Sequence, residues 1–398
     1  MKFHSKQQIE SNLGEVQTEL LRLETVKFLL AENFEMYLVG GAARDFALNG
    51  ELSKDLDIEI QHQVENSFEA LSQKIEEQLN KLELKFEKLN FDIFRIFESD
   101  YELELSFPRL ENYPNVPEKT ALRHDEFETE ILTSAPIQKT FQRRDFSINA
   151  MAIKLYQQSI SFEDPYQGLE SLAKKQLDAV KENFAKDPVR FIRLIRFQLR
   201  FDLNLSDETK KLCHQFNLSK CSDYHFLNEF KKSEHPEFLE TFFKYVDEFE
   251  IEFPPHWAFL KQFNGVTAST IDEHLYSFWL KNRTDSQTLK DCQSLFKLKA
   301  EIFKKFSSLE QASQLSKVPN IGKGLDLEQM TIEEENQLRL LRVLIQNLPM
   351  IKHYNIPVFD LEWLQEYSKL VDQNRPSKEE LLSAPEKLRW CLPLLKNL

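Results

Sequence analysis

Glycine is scarce in this chain, at 8 of 398 residues, so tight turns and close backbone approaches are confined to few places. Four of the eight, Gly40, Gly41, Gly50 and Gly168, fall inside or beside the motifs described below. Cysteine is scarcer: Cys213, Cys221, Cys292 and Cys391 are scattered without paired zinc spacing. That excludes a disulfide framework and points to inert thiols in a reduced, cytoplasmic setting. No apolar run reaches 18 residues, so no membrane-spanning helix is expected. The stretch Met1-Lys2-Phe3-His4-Ser5-Lys6-Gln7 lacks an apolar core, so secretion is not expected either.

A basic excess is also missing. The formal net charge is −14. Residues 1–203 hold 26 Lys+Arg against 36 Asp+Glu, and residues 204–398 hold 25 against 29, so neither half is basic. Any surface for nucleic acid must be a local patch on an acidic body, with weak or strongly salt-dependent binding.

What is abundant is phenylalanine, 33 residues, within a composition of 41% hydrophobic and 29% charged residues. These are the proportions of a globular protein with ample core, and the length allows about two to three domains. There is no internal repeat and no low-complexity segment.

The densest chemistry lies in Tyr37-Leu38-Val39-Gly40-Gly41-Ala42-Ala43-Arg44-Asp45 and Lys54-Asp55-Leu56-Asp57-Ile58-Glu59-Ile60. The first reads as strand, glycine turn and helix start, an arrangement whose free N–H groups suit phosphate. The second alternates, which on a strand puts Asp55 and Asp57 on one face and Leu56 and Ile58 in the core. Two adjacent carboxylates repel unless a divalent cation lies between them. Hard oxygen ligands beside a phosphate cradle and an arginine point to Mg²⁺ and a nucleoside triphosphate. Downstream, Arg143-Arg144-Asp145-Phe146-Ser147-Ile148-Asn149-Ala150-Met151-Ala152 pairs two arginines with an acid and an asparagine. Arginines give bidentate contacts to phosphate oxygens, and Asp145 or Asn149 can bond a ribose hydroxyl.

Taken together, these stretches resemble the motifs of the class II tRNA nucleotidyltransferase and bacterial poly(A) polymerase superfamily, the CCA-adding enzymes and their relatives. Ala43 and Ser147 stand where the family usually has valine and threonine. The resemblance implies a third carboxylate at Glu104. It implies nucleotide contacts from Gly40, Gly41, Arg44, Asp45, Arg143, Arg144, Asp145 and Asn149. It also singles out Lys186-Asp187-Pro188-Val189-Arg190, where Lys186 replaces the usual glutamate. There Asp187 and Arg190 would read the edge of the incoming base, with Arg193 and Arg196 following on the same helix face. By residue type alone, Asp187 and Pro188 are a helix cap and first position, and the arginines a solvated stripe.

The remaining pattern is assigned as follows. Residues 1–33 form an amphipathic helix and residues 66–82 another; 91–97 and 101–107 are strands paired through Glu98-Ser99-Asp100. Residues 112–134 are a long loop, where the family keeps an element that switches between CTP and ATP; Arg123-His124-Asp125-Glu126-Phe127 does not match it closely, nor does Gln138-Lys139-Thr140 match the acidic residues usual there. Residues 153–162 form a closing strand, and Asp164-Pro165-Tyr166-Gln167-Gly168 a turn that Asp164 braces. Beyond residue 206 the pattern is helical, for example over 238–243 and 338–348; Ile321-Gly322-Lys323-Gly324 is a turn too short for a phosphate loop.

The expected fold is an α/β nucleotidyltransferase head, a small mixed sheet with helices, followed by an all-α neck and body. Boundaries are set at 1–155, 156–205 and 206–398. The resemblance implies Mg²⁺-dependent CCA addition to the 3′ end of tRNA from CTP and ATP. Poly(A) polymerase, a partial CC- or A-adding enzyme, and a catalytically silent RNA- or protein-binding relative are the alternatives.

Overall fold

The computed structural model describes residues 4–263 except 65, 66 and 182. Beyond these it describes 271–282, 284–297, 302–313, 340–341, 343–345, 347–353 and single positions up to 369. The chain packs as two units, Met1–Ala258 and Phe259–Leu398.

The first unit opens with two helices rather than one, α1 (Lys6–Leu20) and α2 (Glu24–Ala31). Ser5 and Gln8 close a capping box on α1. The chain breaks over residues 21–23, and Leu20, Leu23 and Val26 are all buried.

A seven-stranded sheet follows, in the order β3-β4-β5-β2-β1-β8-β9. Its strands are β1 (Glu35–Val39), β2 (Asp55–Gln61), β3 (Lys85–Lys88), β4 (Phe94–Glu98), β5 (Tyr101–Ser106), β8 (Ala152–Tyr156) and β9 (Ser159–Glu163). All the pairs are antiparallel except β2 with β5. The sheet is therefore mixed, as the sequence implies. Helix α3 (Gly41–Asn49) fills the connection from β1 to β2, and α4 (Phe68–Lys81) lies between β2 and β3. β4 and β5 pair through residues 98–101, as expected.

Two expectations are corrected. The single strand over 153–162 is the hairpin β8–β9, turning at Gln157 with φ 53°. The loop 112–134 is anchored at both ends: β6 (Arg109–Asn112) and β7 (Glu128–Ile131) form their own antiparallel pair.

Asp164 braces the next turn as anticipated: Oδ1 and Oδ2 accept from the backbone N–H of Gly168 (2.6 Å) and Leu169 (3.0 Å), starting α6 (Gly168–Ala173). Then come α5 (Ile137–Thr140, upstream of β8), α7 (Val189–Phe201), α8 (Asp207–Cys213), α9 (Asp223–Ser233) and α10 (Phe238–Glu248). The phenylalanines account for this packing. Ring contacts link Phe146 to Phe184 (5.7 Å), Phe184 to Phe216 (5.3 Å), Phe216 to Phe191 (5.4 Å), Phe191 to Phe242 (6.1 Å) and Phe242 to Phe226 (5.1 Å). Each large ring buries an apolar face and adds edge-to-face attraction, so α7 is seated firmly against Phe146, Phe216 and α10.

In the second unit, α11 (Ile271–Asn282), α12 (Ser286–Leu295) and α13 (Ile302–Ser313) pack together, with Trp279 5.9 Å from Phe306. Asp285 caps α12, accepting from the N–H groups of Gln287 and Thr288, both at 3.1 Å. The expected turn at 321–324 and the cysteine at 391 lie outside the described residues, as does part of the helix expected over 338–348. Cys213, Cys221 and Cys292 are buried and unbridged; burial raises all three thiols, Cys213 and Cys292 to about 12. Among the described residues no helix is long and apolar enough to cross a membrane.

Candidate active site

Gly40 ends β1 with φ 64° and ψ −121°, a conformation that needs glycine. A Cβ there would come within 3.2 Å of Arg144 Nη1 and 3.3 Å of Asp57 Oδ2. The site's carboxylate and its arginine thus both close in on one glycine.

The parallel register of β2 and β5 sets Asp55 opposite Glu102 and Asp57 opposite Glu104. Asp55, Asp57 and Glu104 therefore share one face, as the alternation requires. Glu104 is also tied to the next strand, since Oε1 accepts from Arg95 Nη2 (2.7 Å) and Nε (2.9 Å). Asp57 is exposed but sits at the floor of a recess. Partial desolvation raises its carboxyl, Glu104 and Asp55 add to the rise, and Arg144 and Arg143 oppose it.

Among the described residues no group of three or more metal-holding side chains is gathered, so any protein donor set for a cation is limited to two carboxylates. Asp55 and Asp57 fit that part. Among the described residues neither carboxylate has an ion-pair or hydrogen-bond partner, and their mutual repulsion is what a divalent ion would relieve.

Facing them is a cavity of about 430 Å³. Gly40, Gly41, Arg44, Asp57, Arg143, Arg144, Asp145, Asn149, Asp187, Arg190 and Arg193 all border it. Asp45, Asp55, Glu104 and Arg196 do not. Here is the local basic patch that the acidic composition demanded, with Arg44, Arg109, Arg143, Arg144, Arg190 and Arg193 gathered on one recess.

Its arginines fall into two sets. The first is bound into the framework. Arg44, buried and lying against the rings of Phe197 and Phe201, gives Nη1 to Asn149 Oδ1 (2.7 Å) and Nε to Asp45 Oδ1 (2.9 Å). Asn149 Nδ2 passes the chain to Asp145 Oδ1 (2.8 Å), and Arg193 Nε donates to Asp145 Oδ2 (2.7 Å). Burial would raise Asp145, but Arg193 and Asn149 hold it down at about 2. Arg196 lies outside the cavity, with Nε 2.6 Å from Glu229 Oε2 on α9. Asp45 and Arg196 thus serve other residues in this conformation. Arg190 sends Nη1 to Asn183 O (3.0 Å) and Nη2 to Arg143 O (2.7 Å).

The second set is short of acceptors. The buried Nε atoms of Arg109, Arg143 and Arg144 have no hydrogen-bond partner among the described residues. Burial and the neighbouring Arg143 push Arg144 down to about 10, and burial with Arg143 likewise lowers Arg109. Crowded cations with spare donors are built for a polyanion.

Sequence reasoning missed several members. Glu59, two residues past Asp57 on the same face, is fully buried 3.7 Å from Arg143 Nη2; the i, i+2, i+4 run of acids was its signal. Arg109, Glu111, His124, His225 and Glu229 also border the cavity. They come from the β6–β7 segment and α9, where periodicity gave no cue.

Residues 36–178 match the family profile described as the poly A polymerase head domain. The CCA-adding enzyme of Listeria monocytogenes is 27% identical over 203 residues, 48% of this chain and 44% of that protein. The multifunctional CCA protein of Shewanella denitrificans is 30% identical over 188 residues, 46% of this chain and 40% of that protein. The matched stretch spans less than half the length of each relative. A solved CCA-adding enzyme, apo form II, superposes with a TM-score of 0.56 at 19% identity, covering 100% of both chains, which shows a shared fold.

Proposed function

We propose that this chain, whose residues 36–178 match the poly A polymerase head domain, belongs with the poly(A) polymerases and CCA-adding enzymes and is a template-independent RNA nucleotidyltransferase. Its substrates are CTP, ATP and the 3′ end of tRNA. The observation that carries this reading is the convergence of Asp57 and Arg144 on Gly40, with donor-rich arginines on one side and a carboxylate pair on the other.

Arg143, Arg144 and Arg109 neutralise and orient the triphosphate. Asp55 and Asp57 would hold Mg²⁺, which supplies Lewis-acid polarisation of the α-phosphate and a more acidic 3′-hydroxyl. Glu104, held by Arg95, adds negative potential beside Asp57 and fixes where a cation is favoured. Asn149 and Asp145 stand where a ribose hydroxyl can be bonded. Asp187 and Arg190 at the start of α7 read the base, the acid accepting from an exocyclic amine. Residues 1–155 serve as head, 156–205 as the neck carrying the base-reading pair, and 206–398 as the body that holds RNA. Buried, unbridged thiols and these substrates favour a cytoplasmic place of work.

The test is incorporation of labelled CTP and ATP, separately and together, into tRNA ending before its CCA, with Mg²⁺. Two C residues followed by one A are expected. Long A tails would make the chain a poly(A) polymerase, and C alone or A alone a partial enzyme. No incorporation at low salt would favour a silent RNA-binding relative.

A further inference from the structure

Asp187, at the mouth of α7, is already engaged. Its Oδ1 accepts from the backbone N–H of Val189 at 2.9 Å and lies 2.9 Å from Nδ1 of His124; Oδ2 lies 3.7 Å from Arg190 Nε. An ionised carboxylate only accepts, so Nδ1 donates. His124 comes from the connection between β6 and β7. Its side chain is 43% exposed against 9% for Asp187, so it reaches from the rim to a buried acceptor. On its other side its ring meets His225 of α9 edge-to-face, with 4.6 Å between centroids. Both histidines border the cavity that holds Arg144 and Asn149.

We propose that His124 is a placeholder for the incoming base: it donates to Asp187 the hydrogen bond that the exocyclic amino group of cytosine or adenine would donate, and it gives way to a base that brings such a group. This rests on the reading of Asp187 and Arg190 as the base-reading pair. Without His124, Asp187 would keep only the Val189 N–H and the more distant Arg190, and a buried carboxylate short of a donor is unfavourable; His124 supplies that donor in the empty site. A base with an amino group at that edge replaces the lost bond. A base with a carbonyl there leaves Asp187 facing another acceptor. The exchange therefore favours C and A over bases that cannot repay it.

Charge sets how firmly the placeholder holds. The hydrogen bond to Asp187 raises the basicity of His124 against its burial; Glu111 on β6 helps and Arg190 on α7 opposes. His225 is shifted the other way by burial and by His124, with Asp187, Asp125 and Glu229 opposing. An imidazolium binds Asp187 more tightly than a neutral ring. Nucleotide therefore competes poorly while His124 is protonated and better once it is not.

The test is equilibrium binding of CTP with Mg²⁺ to the full chain, wild type and His124→Ala, at about pH 6 and about pH 8. For wild type, Kd is expected to fall about three- to tenfold with rising pH. The variant should bind at the lower pH about as tightly as at the higher, and more tightly than wild type there. Pyrophosphate, which has no base, should bind both proteins alike at each pH, which also shows the variant's site intact. Equal pH dependence of CTP binding in the two proteins, or weaker binding by the variant at the lower pH, would overturn the placeholder. CTP binding to neither protein, with pyrophosphate still bound, would remove Asp187 as a base reader and the placeholder with it.

Discussion

Asp57 on β2 and Glu104 on β5 stand directly opposite each other, and of these two only Glu104 pairs with Arg95 from β4, at 2.7 Å; Arg95 also lies 3.0 Å from Glu102. Asp57 is left as the carboxylate that must share its neighbourhood with two other acids. Desolvation and these neighbours favour its protonated form despite Arg144 and Arg143.

The sign of the resulting stability effect is fixed. A carboxyl raised on folding destabilises the fold while ionised, and that penalty disappears as pH falls through its folded pKa. Asp57→Asn should therefore raise the melting temperature slightly at neutral pH, by about 1–2 °C. Scanning calorimetry checks it, with the gain shrinking in acid.

Asp145 behaves in the opposite way. Its folded pKa of about 2 lies below the ordinary 3.8, so its stabilisation is present above about pH 4 and is lost as pH falls through about 2. The shift corresponds to about 2 kcal/mol. Asp145→Ala removes the acceptor shared by the half-buried Arg193, the Asn149 amide and the Phe146 N–H and should cost about 1.5–3 kcal/mol, read as a lower midpoint in urea unfolding. Its loss of stability between about pH 4 and about pH 2 should be shallower than that of wild type.

In the proposed reaction Arg144 would contribute charge and a fork of donors to the triphosphate. Arg144→Ala should raise KM for CTP and ATP about 10–100-fold, from about 1.5–3 kcal/mol for a charged hydrogen bond. Arg144→Lys should recover part of this, because the point charge survives and the bidentate geometry does not. Steady-state kinetics with both nucleotides measures it.

Gly40→Ala should be severe for two reasons. The φ of 64° with ψ −121° is strained for any L side chain, costing about 1–3 kcal/mol. The new methyl would also press on Arg144 Nη1 and Asp57 Oδ2. Lower thermal stability and loss of transfer should appear together.

The carboxylate strand was legible because Asp55 and Asp57 carry a period of two, and the glycine turn because few other glycines compete with it. Glu59 continues the same alternation between Ile58 and Ile60, and spacing alone does not tell a buried acid from a solvated one. The β8–β9 hairpin was hidden because it turns at Gln157-Gln158, without the glycine or asparagine that announces such a turn. The β6–β7 pair joins strands a long connection apart, and non-local pairing leaves no local periodicity. That is why Arg109, Glu111 and His124 went unnoticed. Arg196 shows the limit of helical spacing. Each three-residue step falls about 60° short of a full turn, so by Arg196 the side chain has rotated about 120° from Arg190 and meets Glu229 instead of the cavity.

The carboxylate pair Asp55 and Asp57 is the centre of the proposed reaction. The decisive measurement is labelled CTP and ATP incorporation into tRNA lacking its CCA, by wild type, Asp55→Ala and Asp57→Ala, with folding checked by circular dichroism. Both variants are expected to stay folded, because the two side chains are exposed at the start of β2. Transfer should fall by about 10³-fold or more. Folded variants that still transfer C and A at the wild-type rate would contradict the account.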